Sequence, residues 1–204
     1  MYNGGMNTMA ENLPQDERRA LCAALLHYAD THPERRGTAK EILRFVCDTP
    51  DCFCRSQRKG HITGSAWLLN PDGDKALLTL HRNLKRWMQP GGHADGDADT
   101  LRVALREATE ESGIEGIIPL SDEILDVDIH VIPARPARGE PEHRHYDIRY
   151  LLQAPHEHWV ISDESDDLAW WTKAEIAARA AELDEAVRRL AACSGMKGTE
   201  GGAA

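Results

Sequence analysis

No apolar run in this sequence approaches the ~18 residues needed to cross a bilayer, so no membrane contact is expected. The opening MYNGGMNTMAENLPQDERR lacks both a basic start and an apolar stretch. It does not read as a secretory signal, and a cytoplasmic location is expected. Cysteine is scarce and odd in number, five in 204 residues, which is no disulfide framework. Cys47, Cys52 and Cys54 cluster in CDTPDCFC with His61 close behind. That cluster has no CxxC pair, so reduced, partly buried thiols are expected there rather than zinc. Basic residues are in deficit, 24 against 34 acidic, for a net charge of −10. A general nucleic-acid binder needs a basic face to neutralise phosphates, and this balance argues against one. A small anionic substrate is not excluded, because it needs only local positive charge or a metal.

The chain nevertheless has enough to fold, with 41% hydrophobic and 28% charged residues and no internal repeat. Residues 1–60 read as an N-terminal helical extension. Its first helix spans 16–31, with Leu21, Ala24, Leu25 and Tyr28 on one face. A second starts at a Thr38 cap and runs to about Cys47, with Ile42, Leu43 and Val46 inward. From residue 61 the period changes. HITGSAWLLN and KALLTLHR, joined by NPDGD, read as a hairpin. MQPGGHADGD reads as loop, and 100–112 as a helix capped by Gly113. EILDVDIHVI, YDIRYLLQA and LAWW read as strands, with a long loop over 133–145. An Ala-rich helix over 173–193 follows. Residues 61–192 are taken as the main domain and 193–204 as a disordered tail. Strands mixed with interior helices indicate an α/β or α+β fold. A homodimer is compatible with all of this.

The helix over 100–112 holds Glu107, Glu110 and Glu111 in five residues. Like charges three and four apart repel, and negative charge near a helix C-terminus opposes the macrodipole. Leu101, Ala104, Leu105 and Ala108 form the stripe expected to face the core. The glutamates lie at its margin, where a cleft can open. A hard divalent cation bridging them removes both penalties, and Mg2+ suits such oxygen ligands. A solvated acidic helix end is the plainer reading. Pro90, Gly91 and Gly92 precede the helix, and paired glycines let backbone approach a ligand closely. Upstream, Arg82, Lys85 and Arg86 form a local basic patch that can steer a phosphate.

Gly92, followed after thirteen residues by Arg106-Glu107-Ala108-Thr109-Glu110-Glu111-Ser112-Gly113-Ile114, resembles the Nudix box, G-x5-E-x7-R-E-U-x-E-E-x-G-U. The resemblance covers roughly residues 61–175. It implies a Nudix-type α/β/α sandwich with a mixed sheet and Mg2+- or Mn2+-dependent hydrolysis of a nucleoside diphosphate linked to another group. It also implies that Glu107, Glu110 and Glu111 hold the metals, that the Gly91 carbonyl adds a ligand and that Arg106 orients the glutamates. A further acid from a distant loop assists in this family, and Glu140, Glu142 and Glu164 are the candidates here. The first box glutamate falls on Ala98, flanked by Asp97 and Asp99, either of which can substitute. A nucleoside triphosphate pyrophosphohydrolase shares the same box. A degenerate Nudix domain that senses a nucleotide is the non-enzyme reading.

Histidines supply a second cluster. His143 and His145 alternate with Asp147 and share a face if their strand starts early, and His130 lies on the preceding strand. His93 follows the glycines. A substrate rim contacting phosphate, or a second metal site, is the functional reading; hydrogen-bonded loop histidines are the bland one. A phosphate-contacting imidazolium implies affinity that falls from about pH 6 to 8. Trp67, Trp87, Tyr146 and the Trp170–Trp171 pair can stack on a base, but such aromatics more often form core.

Overall fold

The computed structural model describes residues 15–82, 84–136, 139–162 and 165–198. In chain order it contains α1 (Gln15–Thr31), α2 (Arg36–Asp48), β1 (Gly60–Leu69), β2 (Lys75–His81), β3 (Trp87–Met88), β4 (Gly91–His93) and α3 (Thr100–Ser112). There follow β5 (Ile118–Pro119), β6 (Asp126–Ile132), β7 (His143–Gln153), β8 (Ser165–Thr172), α4 (Lys173–Ala178) and α5 (Glu185–Cys193). The strands form one eight-stranded sheet with the path β3-β2-β1-β7-β5, to which β4 joins at β1, β6 at β7 and β8 at β2. The fold is α/β, preceded by the two expected helices. No helix among the described residues is long and apolar enough to cross a membrane.

Contacts group the chain into two compact units that do not follow sequence order. One takes the chain up to Thr63 together with 93–100 and 127–148. In it Leu21, Leu25 and Tyr28 of α1 and Ile42 and Val46 of α2 are buried, as their helical spacing implies. Phe45 stacks on Tyr146 with ring centroids 3.9 Å apart. Helix α2 starts at Arg36, before the expected Thr38 cap, and has no side-chain cap. The turn is held instead by Arg35 N–H donating to the His32 carbonyl (3.0 Å) and Arg36 Nε donating to the Ala29 carbonyl (3.0 Å).

The other unit takes 64–92, 101–126 and 149 onward. Its core contains Trp67, Leu78, Trp87, Trp171, Val187 and Leu190. Trp67, Trp87 and Trp171 are therefore packing residues, and Trp170 donates its indole N–H to the Glu157 carbonyl (2.8 Å). The hairpin forms as expected, with Leu69 opposite Ala76 and the Asn70 side chain closing the turn onto the N–H groups of Asp74 and Lys75. The expected helix over 173–193 is interrupted. Asp184 accepts from Ala186 N–H and starts α5 afresh, while its own N–H donates to the Trp87 carbonyl (2.9 Å). Residues 193–198, expected within a disordered tail, are ordered: Met196 is buried and Lys197 N–H donates to the Gly73 carbonyl (2.8 Å). Arg149 and Asp126, each 2% exposed, form an ion pair at 2.8 Å, and Arg189 joins Asp126 at 3.0 Å.

Candidate active site

The segment read as loop before α3 contains two short strands, β3 and β4. Strand β4 pairs with β1, and Ala66 N–H of β1 donates to the Pro90 carbonyl (2.9 Å). A hydrophobicity pattern cannot show two- and three-residue strands, because they have too few side chains to alternate. The pairing fixes the glycines against neighbours. A Cβ on Gly91 would lie 2.2 Å from Ser65 Oγ, and one on Gly92 would lie 2.2 Å from Glu107 Oε2. Glycine is required at Gly91, where a Cβ would also meet the Ser65 backbone at 2.8 Å, whereas at Gly92 a Cβ would displace the Glu107 carboxylate.

Helix α3 buries Val103, Ala104 and Ala108, while Leu101 and Leu105 are half-buried, so the apolar stripe is shifted by part of a turn from the expected one. Glu107 and Glu111 sit at its margin, half-buried, and Glu110 is exposed. Arg106 is next to Glu107 in sequence, about 100° round the helix, yet its guanidinium donates to Glu107 Oε1 at 2.8 Å. A long side chain can curl back to its neighbour where Cβ positions alone suggest otherwise. Gly113 caps α3 as expected, with φ +66° and its N–H donating to the Thr109 carbonyl (2.8 Å). Three carboxylates lie on one helix end, one of them packed against Gly92. Carboxylate oxygen is the donor type that a hard divalent cation such as Mg2+ or Mn2+ takes.

Ala98 is 1% exposed, and Asp97 Oδ1 accepts from Asp99 N–H (2.9 Å) in the turn before α3. The described contacts of the basic patch are with β8 and its surroundings. Arg82 and Lys85 pair with Asp166, and Arg86 Nη1 donates to the Leu183 carbonyl (3.4 Å). Among the acids considered for a distant role, Glu140 lies 3.9 Å from Arg135 and Glu142 is exposed. Glu164 lies outside the described residues.

The histidines do come together. Strand β7 starts at His143, early enough to place His143 and His145 on one face, with ring centroids 5.2 Å apart. His130 on β6 lies 5.3 Å from His145 and its Nδ1 is 3.4 Å from Asp128. His61 was missed as a member of this cluster, having been considered only with the cysteines. Its ring lies 4.9 Å from His93, 5.0 Å from His143 and 4.9 Å from His145. Nothing local marks it; only the pairing of β1, β4 and β7 brings it in. Burial lowers the pKa of His61, pushes His93 down to about 3 and lowers His145 further, with neighbouring positive charges adding to it. Burial thus disfavours the imidazolium form of His93 and His145, the form that the expected phosphate contact calls for. All five cysteines are free, and burial pushes the Cys52 thiol up to about 12.

The chain belongs to the NUDIX domain family, whose sequence profile matches residues 60–191. A protein of Lactococcus lactis subsp. cremoris named as a probable DHNTP pyrophosphohydrolase is 32% identical over 80 residues, which are 39% of this chain and 47% of that one. A putative 8-oxo-dGTP diphosphatase of Mycobacterium tuberculosis is 33% identical over 128 residues, 56% of this chain and 54% of that one. The chain spans about half the length of these curated relatives. The crystal structure of a Nudix-family hydrolase from Clostridium perfringens shares the fold, with a TM-score of 0.50 at 23% identity over 64% of this chain and 93% of that one.

Proposed function

We propose that this chain is a divalent-metal-dependent pyrophosphohydrolase that cleaves a phosphoanhydride bond in a small nucleotide. The observation that carries this reading is the Glu107 carboxylate, held by Arg106 and packed on Gly92, on the same helix end as Glu110 and Glu111. Glu107, Glu110 and Glu111, with the Gly91 carbonyl, would hold the cation. A divalent ion bound there supplies positive charge for the phosphates and acidity for a bound water. Arg106 fixes the Glu107 carboxylate, and Gly92 keeps the space beside that carboxylate clear of side-chain atoms. A carboxylate of the cluster, or an acid beyond it, accepts the proton of the attacking water.

The box pattern itself implies a nucleoside diphosphate linked to another group, such as a nucleotide sugar or ADP-ribose. The relatives' names favour a second reading, a nucleoside triphosphate cut to release pyrophosphate. A substrate panel with Mg2+ and Mn2+ separates the two. Pyrophosphate from a triphosphate supports the second, and two monophosphate products from a linked diphosphate support the first. Metal-independent nucleotide binding with no product would instead identify a sensor.

A further inference from the structure

His61, His93 and His145 come from three separate strands, β1, β4 and β7, and all belong to one compact unit. The hydrogen bonds from Ala94 N–H to the Ile62 carbonyl (3.2 Å) and from Gly96 N–H to the Phe53 carbonyl (2.8 Å) hold His93 beside His61. The three rings form a nearly equilateral triangle, every pair of centroids being 4.9 Å apart. One nitrogen from each lies within 4.8 Å of the other two. An ion bound tetrahedrally at about 2.0–2.1 Å from imidazole nitrogens sets the ring centroids roughly 5 Å apart, so the rings already stand at coordination spacing. Only small rotations would bring their nitrogens together.

The nitrogens themselves point the same way. His61 is 4% exposed, and its Nδ1 makes a long hydrogen bond, 3.5 Å, to the Gln57 carbonyl. A carbonyl can only accept, so Nδ1 carries the proton and the Nε2 lone pair is turned inward. Backbone carbonyls set the tautomer of metal-binding histidines in this way. Among the described residues, Nε2 of His61 and Nε2 of His145 are buried with no hydrogen-bond partner. Leaving such groups unsatisfied is unfavourable, a penalty that a shared ion would remove. His143 adjoins the trio, with its Nδ1 donating to the Pro141 carbonyl (2.9 Å).

We propose that His61, His93 and His145 bind one divalent transition-metal ion, with Zn2+ the ion the donor set fits and a fourth position left for water. Neutral imidazole nitrogens favour Zn2+ and its neighbours over Mg2+. The site thus differs in chemistry from the carboxylates of α3 and does not rest on the hydrolase reading. A bound ion would tie the start of β1, the end of β4 and the start of β7 together, and so stabilise this unit.

The test uses the full chain, stripped with chelator and titrated with Co2+ and Zn2+. The expected result is one equivalent of Co2+ with a tetrahedral visible spectrum and no sulfur-to-cobalt charge-transfer band. Zn2+ should raise the melting temperature of the wild type more than that of His145→Asn. X-ray absorption of the Zn2+-loaded wild type should show a nitrogen and oxygen shell at about 2.0 Å with imidazole scattering, a readout that needs no variant. Affinity should fall at least tenfold in His145→Asn and in His93→Asn, and persist in Glu111→Gln. Absence of stoichiometric binding by wild type would overturn the proposal. So would a thiolate spectrum, or binding unchanged in both histidine variants but lost in Glu111→Gln.

Discussion

The glutamates of α3 come from five consecutive residues of one helix and reach solvent, whereas His61, His93 and His145 come from three strands and are largely enclosed. One cluster offers charged oxygen and the other neutral nitrogen. On the proposed function, repulsion among the glutamates would be relieved by a bound divalent cation. The histidines differ: burial disfavours their charged form, and among the described residues Nε2 of His61 and Nε2 of His145 are buried with no hydrogen-bond partner. Donor type and solvent access, rather than the mere number of candidate ligands, decide which ion each cluster suits.

A third arrangement sharpens this contrast. Asp126 is buried like the histidines and charged like the glutamates, but the chain supplies its own cations, Arg149 and Arg189. Asp126→Ala leaves Arg149 buried beside a missing anion and should cost about 3–5 kcal/mol, measured by urea unfolding and unaffected by Mg2+. A loss below about 1 kcal/mol would mean that water reaches the pair.

Ala98 comes next in size. On the box pattern alone, Ala98→Glu should restore a missing support and raise activity or stability. In the structure the position is 1% exposed, so the new carboxylate would be buried. The expected outcome is a loss of about 2–3 kcal/mol by thermal or urea unfolding. A more stable variant would show that the turn opens to accept the side chain.

Gly92→Ala separates function from stability. The new Cβ would meet the far end of the flexible Glu107 side chain, 2.2 Å from Oε2. Swinging the carboxylate aside costs little in stability, but displacing a metal ligand should lower turnover about tenfold or more. Full activity in this variant would remove Glu107 from the site. Smallest is the surface pair of Lys75 and Glu157, 3.1 Å apart. Hydrogen bonds from Asn70 and then Lys75 hold the Glu157 pKa below its usual 4.5. Its stabilising effect is therefore present above that value and lost as pH falls through the lower folded value. Glu157→Gln should cost about 0.5 kcal/mol at pH 7, and less near pH 3, in paired melts.

What the sequence disclosed follows a physical divide. The α3 glutamates, the Gly113 cap and the β1–β2 hairpin rest on local spacing, and all appear in the structure. The inward faces of α1 and α2 were legible for the same reason. Strands β3 and β4 were hidden because they exist only through pairing with β2 and β1. The break between α4 and α5 depends on Asp184 meeting the Trp87 carbonyl, which is far off in sequence. The membership of His61 in the histidine cluster likewise depends on strand order, and the suppressed charge on His145 on burial, neither of which one segment reveals.

The central claim is that the α3 carboxylates carry a Mg2+- or Mn2+-dependent hydrolysis. Its most direct test is turnover of the best substrate from the panel by chelator-stripped wild type and by Glu111→Gln, with Mg2+ added back. Mg2+ should restore wild-type turnover. Glu111→Gln should remain on the order of 100-fold or more below it while melting at the same or a slightly higher temperature, because one repelling charge is gone. Equal turnover by the two proteins, or wild-type turnover that persists in excess chelator, would contradict the account.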